Sequence, residues 1–315
     1  MKDHGSRDGP FPEPFSFSGA SVRAGVRELV LLVAAALVLT LLLVPVVALA
    51  LPWTAFHRLM TRTFFLCLLV PLLIRRGPPR RWSRGLQRMG LRGPHPFQRA
   101  LLGAAGSVLL LAALLAVSWL AGGRQVDVRS TAGWTSHLVK AILAGIGVGL
   151  VEEVVWRGYL RSLVGAVWSS LAYAAVHYFR PLAGSAPAGG PYEPWLAVRR
   201  FPEMVQSWGD PRTVLLGMAS LFLFGMALCR LRQRSGTLLL GIGAHGGFVF
   251  AIEMYRDLIS PVATGSAWIF GGTRLHDGIL GLLALLFFFW ATGHLGLPGS
   301  RSRNPAGQAP RSVDS

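Results

Sequence analysis

An all-α, polytopic transmembrane bundle of about eight spans is the fold class this sequence predicts, and three observations predict it. Hydrophobic residues form 52% of the 315-residue chain and charged residues only 14%, where a soluble domain carries about a quarter charged. The mean hydropathy is +0.48. Apolar runs of bilayer-crossing length recur along the chain, and in lipid such runs must satisfy their own backbone hydrogen bonds, which a helix does.

Taken in order, residues 1–27 are polar and rich in Gly, Ser and Pro, the composition of a disordered tail. The first span is expected over about 28–50. Ala48-Leu49-Ala50 fits a signal-cleavage pattern, but the apolar run before it is longer than a signal core and further spans follow, so it is read as a transmembrane helix or an uncleaved anchor. The next spans fall at about 54–74, 98–121, 136–160, 166–180, 213–230, 237–255 and 278–297. The second is the weakest, because Arg58 and Arg62 sit in its first turns. Residues 299–315 form a polar C-terminal tail. No internal repeat is visible.

The net charge of +17 does not argue for nucleic acid, since there is no basic domain with interleaved aromatics. It argues topology. With the N-terminus inside and all eight segments crossing, roughly two thirds of the Lys and Arg residues fall on the inner side, and every short inner loop is Arg-rich. Both termini are therefore expected in the cytoplasm. The Arg-rich stretch 75–99 reads as a topology determinant lying on lipid headgroups, with recruitment of anionic lipid or a partner as the other reading. The Pro- and Gly-rich loop 181–212 reads as a connector, with a cover over a site as its alternative. Cys67 and Cys229 lie in separate apolar segments, which gives neither a disulfide framework nor a metal-type spacing. Arg, Ala and Gly are abundant and Lys nearly absent, as in a GC-rich bacterial gene, so a bacterial inner membrane is the expected location.

Against this apolar background Glu152 and Glu153 stand side by side inside a span. An ionisable residue within the membrane is a functional-site candidate by default. Glu153 and Arg157 are four apart, share a helix face and can pair, which reduces the cost of burying either charge. Glu152 is turned about 100° away and is free to act. The structural alternative is that both glutamates bond backbone or neighbouring helices.

Depth follows from spacing. The chain must turn between the fourth and fifth spans near Leu163–Ala166. Glu152 lies about twelve residues before that turn and His177 about twelve after it, so both sit about 18 Å from it. His245 lies about nine residues into its span, about 13 Å deep, in nearly the same layer. It is flanked by Gly241, Gly243, Gly246 and Gly247, small residues that permit close helix packing. His276 and His294 lie near span ends with no carboxylate at matched depth and are read as interfacial.

These residues resemble the motifs of the CAAX-protease and bacteriocin-processing family of intramembrane endopeptidases, also called Abi or Rce1-like. Glu152, Glu153 and Arg157 meet its Glu-Glu-x-x-x-Arg motif in full. Tyr173 to His177 meets Phe-x-x-x-His with Tyr in place of Phe. His245 meets the third motif, but Val249 stands where a polar residue such as Asn is usual. The resemblance covers about 136–255. It implies a transmembrane protease domain over 28–298 with that core, hydrolysing a peptide bond in a membrane-anchored protein or peptide. It further implies that Glu152 activates water, His177 assists, His245 stabilises the oxyanion, and Glu153 with Arg157 holds the helix in place. A carboxylate desolvated in lipid is a stronger base than an exposed one, which agrees. No cofactor is expected. Were zinc used, Glu152, His177 and His245 would be its ligands, since a catalytic zinc takes three protein ligands and an open position. A bacterial chain favours a substrate without a prenyl group. Two other readings stand beside this one: a noncatalytic scaffold that retains the motif, and a transporter or proton relay built on the same Glu and His.

Overall fold

The computed structural model describes residues 19–51, 56–75, 90–91, 95–126, 134–178, 211–256, 258–262, 267–272 and 275–294. Helices fall on each of the eight predicted stretches: α1 (Gly19–Ala50), α2 (Phe56–Arg75), α3 (Pro96–Leu120), α4 (Trp134–Glu153) continued by a π-helical segment (Val154–Leu160), α5 (Arg161–Val176), α6 (Pro211–Ser235), α7 (Leu239–Tyr255) and α9 (Ile279–His294). A short α8 (Ala267–Phe270) precedes the last. Two three-residue strands, β1 (Arg124–Val126) and β2 (Ile259–Pro261), pair antiparallel with Gln125 opposite Ser260. The fold is an all-α membrane bundle. Among the described residues three helical stretches are long and apolar enough to cross a bilayer by length and composition alone, Arg23–Ala50, Pro96–Leu120 and Pro211–Ser235.

Much of the outer surface has no place in water. Leu42, Leu49, Leu109, Leu120, Leu143, Phe287 and Trp290 are all more than half exposed, and hydrocarbon is the solvent that suits them. Polar side chains on these helices turn back onto their own backbone: Thr40 Oγ1 donates to the Ala36 carbonyl at 2.6 Å and Ser118 Oγ to the Leu114 carbonyl at 2.8 Å. Arg62, which weakens the second span as a sequence, sits exposed on α2 without interrupting it.

Helix α1 begins at Gly19, so residues 19–27, expected in the polar tail, are helical. The apolar run draws the helix N-terminally, and Gly25 lies against the Leu163 carbonyl. The remainder of that tail, the C-terminal tail 299–315, loop 181–212 up to the start of α6, and most of the Arg-rich stretch 75–99 lie outside the described residues. So do the side chains of Arg58 and its neighbours at the start of α2.

Glycines set the centre of the bundle. Helix α7 crosses α3 and α4 with backbones touching. A Cβ on Gly243 would strike the Ala100 carbonyl, one on Gly247 the Ala104 carbonyl, and one on Gly149 the Ile242 carbonyl at 2.7 Å. The small residues around His245 therefore do what their pattern predicts. The turn expected near 163–166 falls on Gly165, whose φ of 83° and ψ of 175° break the helix there. That conformation is essentially restricted to glycine. It folds the chain back so that α5 returns along the segment that precedes it. Helix α6 then packs against α5 on one side and α9 on the other, where Arg230 Nη1 donates to the Phe289 carbonyl at 3.2 Å.

Candidate active site

The site is built where α4 gives way to the wider π turn. Arg161 N–H reaches back to the Trp156 carbonyl, five residues earlier. The same carbonyl accepts Ser169 Oγ at 2.8 Å from the returning helix, so the irregular turn is satisfied across the hairpin that Gly165 creates. Such π turns are frequent at functional sites because they shift side chains out of the regular helical register.

Glu153 lies at the start of this turn and is fully buried, as is Arg157. Arg157 Nη1 donates to Glu153 Oε1 at 2.9 Å, the pair that the i,i+4 spacing predicts. Two glycines make room for it. A Cβ on Gly241 would lie 3.1 Å from Glu153 Oε2, and one on Gly225 would lie 3.2 Å from Arg157 Nη2. The guanidinium carbon also sits 4.3 Å over the ring of Tyr173, so an aromatic face carries part of its charge.

Glu153 has a second partner that spacing alone does not reveal. His245 Nδ1 donates to the same Oε1 at 2.9 Å. A carboxylate oxygen only accepts, so that nitrogen carries a proton. The other ring nitrogen, Nε2, then faces Glu152 Oε2 at 3.7 Å. His177 reaches the same point from α5. Its Nδ1 donates to the Tyr173 carbonyl at 2.8 Å, which fixes the tautomer in the same way, and its Nε2 also lies 3.7 Å from Glu152 Oε2. Three polar groups from three helical segments thus meet at Glu152 Oε2, as the depths predict. That oxygen is buried and has no hydrogen-bond partner among the described residues.

Glu152 and His245 are buried, whereas the His177 side chain keeps 29% of its surface exposed. His177 is therefore the open edge of the centre. Apolar and aromatic groups wall the remainder: Phe224 meets the His245 ring edge-on at 5.5 Å and Trp156 meets Tyr173 at 5.8 Å. Val249, one turn beyond His245, is half-buried.

Two further histidines were expected at the interface. His294 is exposed and bonds the Trp290 carbonyl. His276 is instead buried, its ring 6.0 Å from Phe248, because the segment before α9 folds inward around Asp277, which accepts the Gly272 N–H at 2.8 Å. Sequence reasoning also passed over the Tyr173 hydroxyl, which lies 3.5 Å from His245 Nε2. Its signal was available: Tyr173 and His177 are four apart and share a face. Among the described residues no group of three or more His, Cys, Asp and Glu side chains is placed to hold a metal ion. Cys67 and Cys229 are both buried free thiols.

An integral membrane protein with a carboxylate and two imidazoles converging inside its bundle is the class that fold and site define. Residues 134–251 match the family model for type II CAAX prenyl endopeptidase Rce1-like proteins. The matched stretch opens on the first residue of α4 and closes beyond His245 on α7, so it holds the whole centre. This part of the chain matches as an Rce1-like domain, and that family is one of CAAX-type proteases. Searches of curated proteins and of solved structures returned no match.

Proposed function

We propose that this protein is an intramembrane endopeptidase in which Glu152 activates water for attack on a peptide bond of a membrane-anchored protein or peptide. One observation carries the reading: the buried Glu152 Oε2 faces the Nε2 atoms of both His177 and His245 at 3.7 Å, while both Nδ1 atoms are committed elsewhere. A water held there donates one proton to Glu152 and the other to the Nε2 lone pair of His177, and its own lone pair points at the scissile carbonyl. As oxygen attacks carbon, the carbonyl π electrons move onto the carbonyl oxygen and Glu152 takes the water proton. When the tetrahedral intermediate collapses, the C–N bond breaks and that proton passes to the leaving nitrogen, giving an acid and an amine. His245, held by Glu153, stabilises the oxyanion when both its ring nitrogens carry protons. Glu153 and Arg157 anchor it.

The reaction as written uses no metal or other cofactor. The domain occupies 28–298 with its core at about 136–255, in a bacterial inner membrane with both termini cytoplasmic and substrate reaching the site past His177. A substrate without a prenyl group is favoured by the composition of the chain.

The test compares protein termini in membranes from cells carrying the wild-type chain and the Glu152→Gln variant. New termini should appear only with wild type and persist in strong chelator, while the variant accumulates and melts normally, because an amide cannot take a proton from water. Identical termini from both would remove the protease reading and leave a scaffold or a proton relay. Loss in chelator with recovery on adding zinc would overturn the metal-free mechanism.

A further inference from the structure

We infer that Tyr173 is a catalytic residue of this site, whose hydroxyl donates a hydrogen bond to the oxyanion. The inference rests on the protease reading above and deepens it. Neutral His245 has one N–H, and Glu153 Oε1 takes it at 2.9 Å. Its Nε2, the atom that faces the site, then presents a lone pair and not a donor. Val249, one turn further along the same face, has no hydrogen to give. His177 spends its N–H on the Tyr173 carbonyl. Arg157 gives its Nη1 N–H to Glu153. The Tyr173 hydroxyl reaches that Nε2 lone pair at 3.5 Å, a long and weak hydrogen bond that an oxyanion forming beside it draws away.

The ring is placed for this task from several sides. Arg157 lies over its face, Trp156 stands edge-on, and the rings of His177 and His245 lie 4.4 Å and 5.9 Å from its centre. The ring, and with it the hydroxyl oxygen, is thus held in place before substrate arrives, and only the O–H bond has to turn during reaction. It donates a hydrogen bond and keeps its proton, so the proton path through Glu152 is unchanged. Its donation is also independent of whether His245 carries a second proton.

Tyr173→Phe removes the hydroxyl and keeps the ring. With full-length protein in native membranes, the rate at which Glu152-dependent termini appear should fall about 10²–10³-fold, the range for losing one oxyanion donor. Accumulation and thermal midpoint should be retained, because the packing of the ring is retained. Adding Val249→Asn to Tyr173→Phe places an amide donor one turn from His245 and should recover at least about tenfold of that rate, a response that a purely structural role for the ring would not give. If Glu152-dependent termini form at the wild-type rate in Tyr173→Phe, the inference is overturned while the protease reading stands. Lack of recovery in the double variant likewise overturns it. If no termini depend on Glu152, the protease reading itself fails and takes this inference with it.

Discussion

Arg157→Ala removes the guanidinium that pairs with Glu153 and should be among the most destabilising single changes in the bundle. Both side chains are fully buried, and breaking such a pair costs about 3–5 kcal/mol because the remaining charge stays desolvated. Glu153 keeps the His245 N–H at 2.9 Å, and a hydrogen bond to a charged group is worth about 1.5–3 kcal/mol, which places the loss near the lower end, about 3 kcal/mol. The guanidinium also leaves the Tyr173 ring, 4.3 Å away, and a desolvated cation–π contact adds about 2 kcal/mol. Together about 5 kcal/mol is removed from a net stability that is typically about 5–15 kcal/mol. The assay is unfolding of purified protein in micelles, by denaturant and by heat, alongside Glu153→Gln/Arg157→Met. Removing both charges together should restore most of the loss, since exchanging a buried ion pair for neutral groups of similar volume is often near neutral. A loss under about 1 kcal/mol in Arg157→Ala, or a double variant no more stable than the single one, would refute the argument from a desolvated pair.

Two other outcomes follow from features away from the ion pair. Gly165→Ala forces a side chain into a backbone conformation with φ of 83° and should cost about 1–3 kcal/mol and slow turnover, since the turn sets His177 against Glu152; an unchanged melting point would show that the hairpin does not depend on it. Reporter fusions within residues 80–95 should be cytoplasmic, as the distribution of Arg and Lys requires, and a periplasmic signal there would reverse the topology.

How far the sequence could be read differs between the fold and the site, for a physical reason. Spans are local: hydrophobic length and the need to satisfy the backbone place each helix without knowledge of its neighbours, and even the hairpin turn came within a residue or two of Gly165. Glu153–Arg157 was equally legible, because i,i+4 geometry belongs to one helix. The depth argument brought Glu152, His177 and His245 into one layer, but a layer is not a contact. Which carboxylate oxygen faces which ring nitrogen depends on the rotation of α7 about its axis and on the π turn after Glu153, and neither leaves a mark in the residue pattern. The sequence therefore left Glu153 with a single partner when it has two. His276 was misplaced for the same reason: proximity to a span end says nothing of a segment that folds back inward.

The glycine-to-backbone crossing of α7 with α3 and α4 has a consequence for how this chain can change over generations. Every base substitution that alters a glycine codon's meaning to another amino acid adds at least a Cβ atom, and at Gly243 or Gly247 that atom lands on the main chain of a neighbouring helix, not on a yielding side chain. There is no small first step away from glycine at these positions, and a compensating change elsewhere cannot shorten a main-chain carbonyl. Drift is thus closed on the side of the bundle that presents His245, while the lipid-facing leucines of α1 and α3 can be exchanged among apolar residues at little cost. The centre of the molecule is held constant by geometry even where no chemistry is performed.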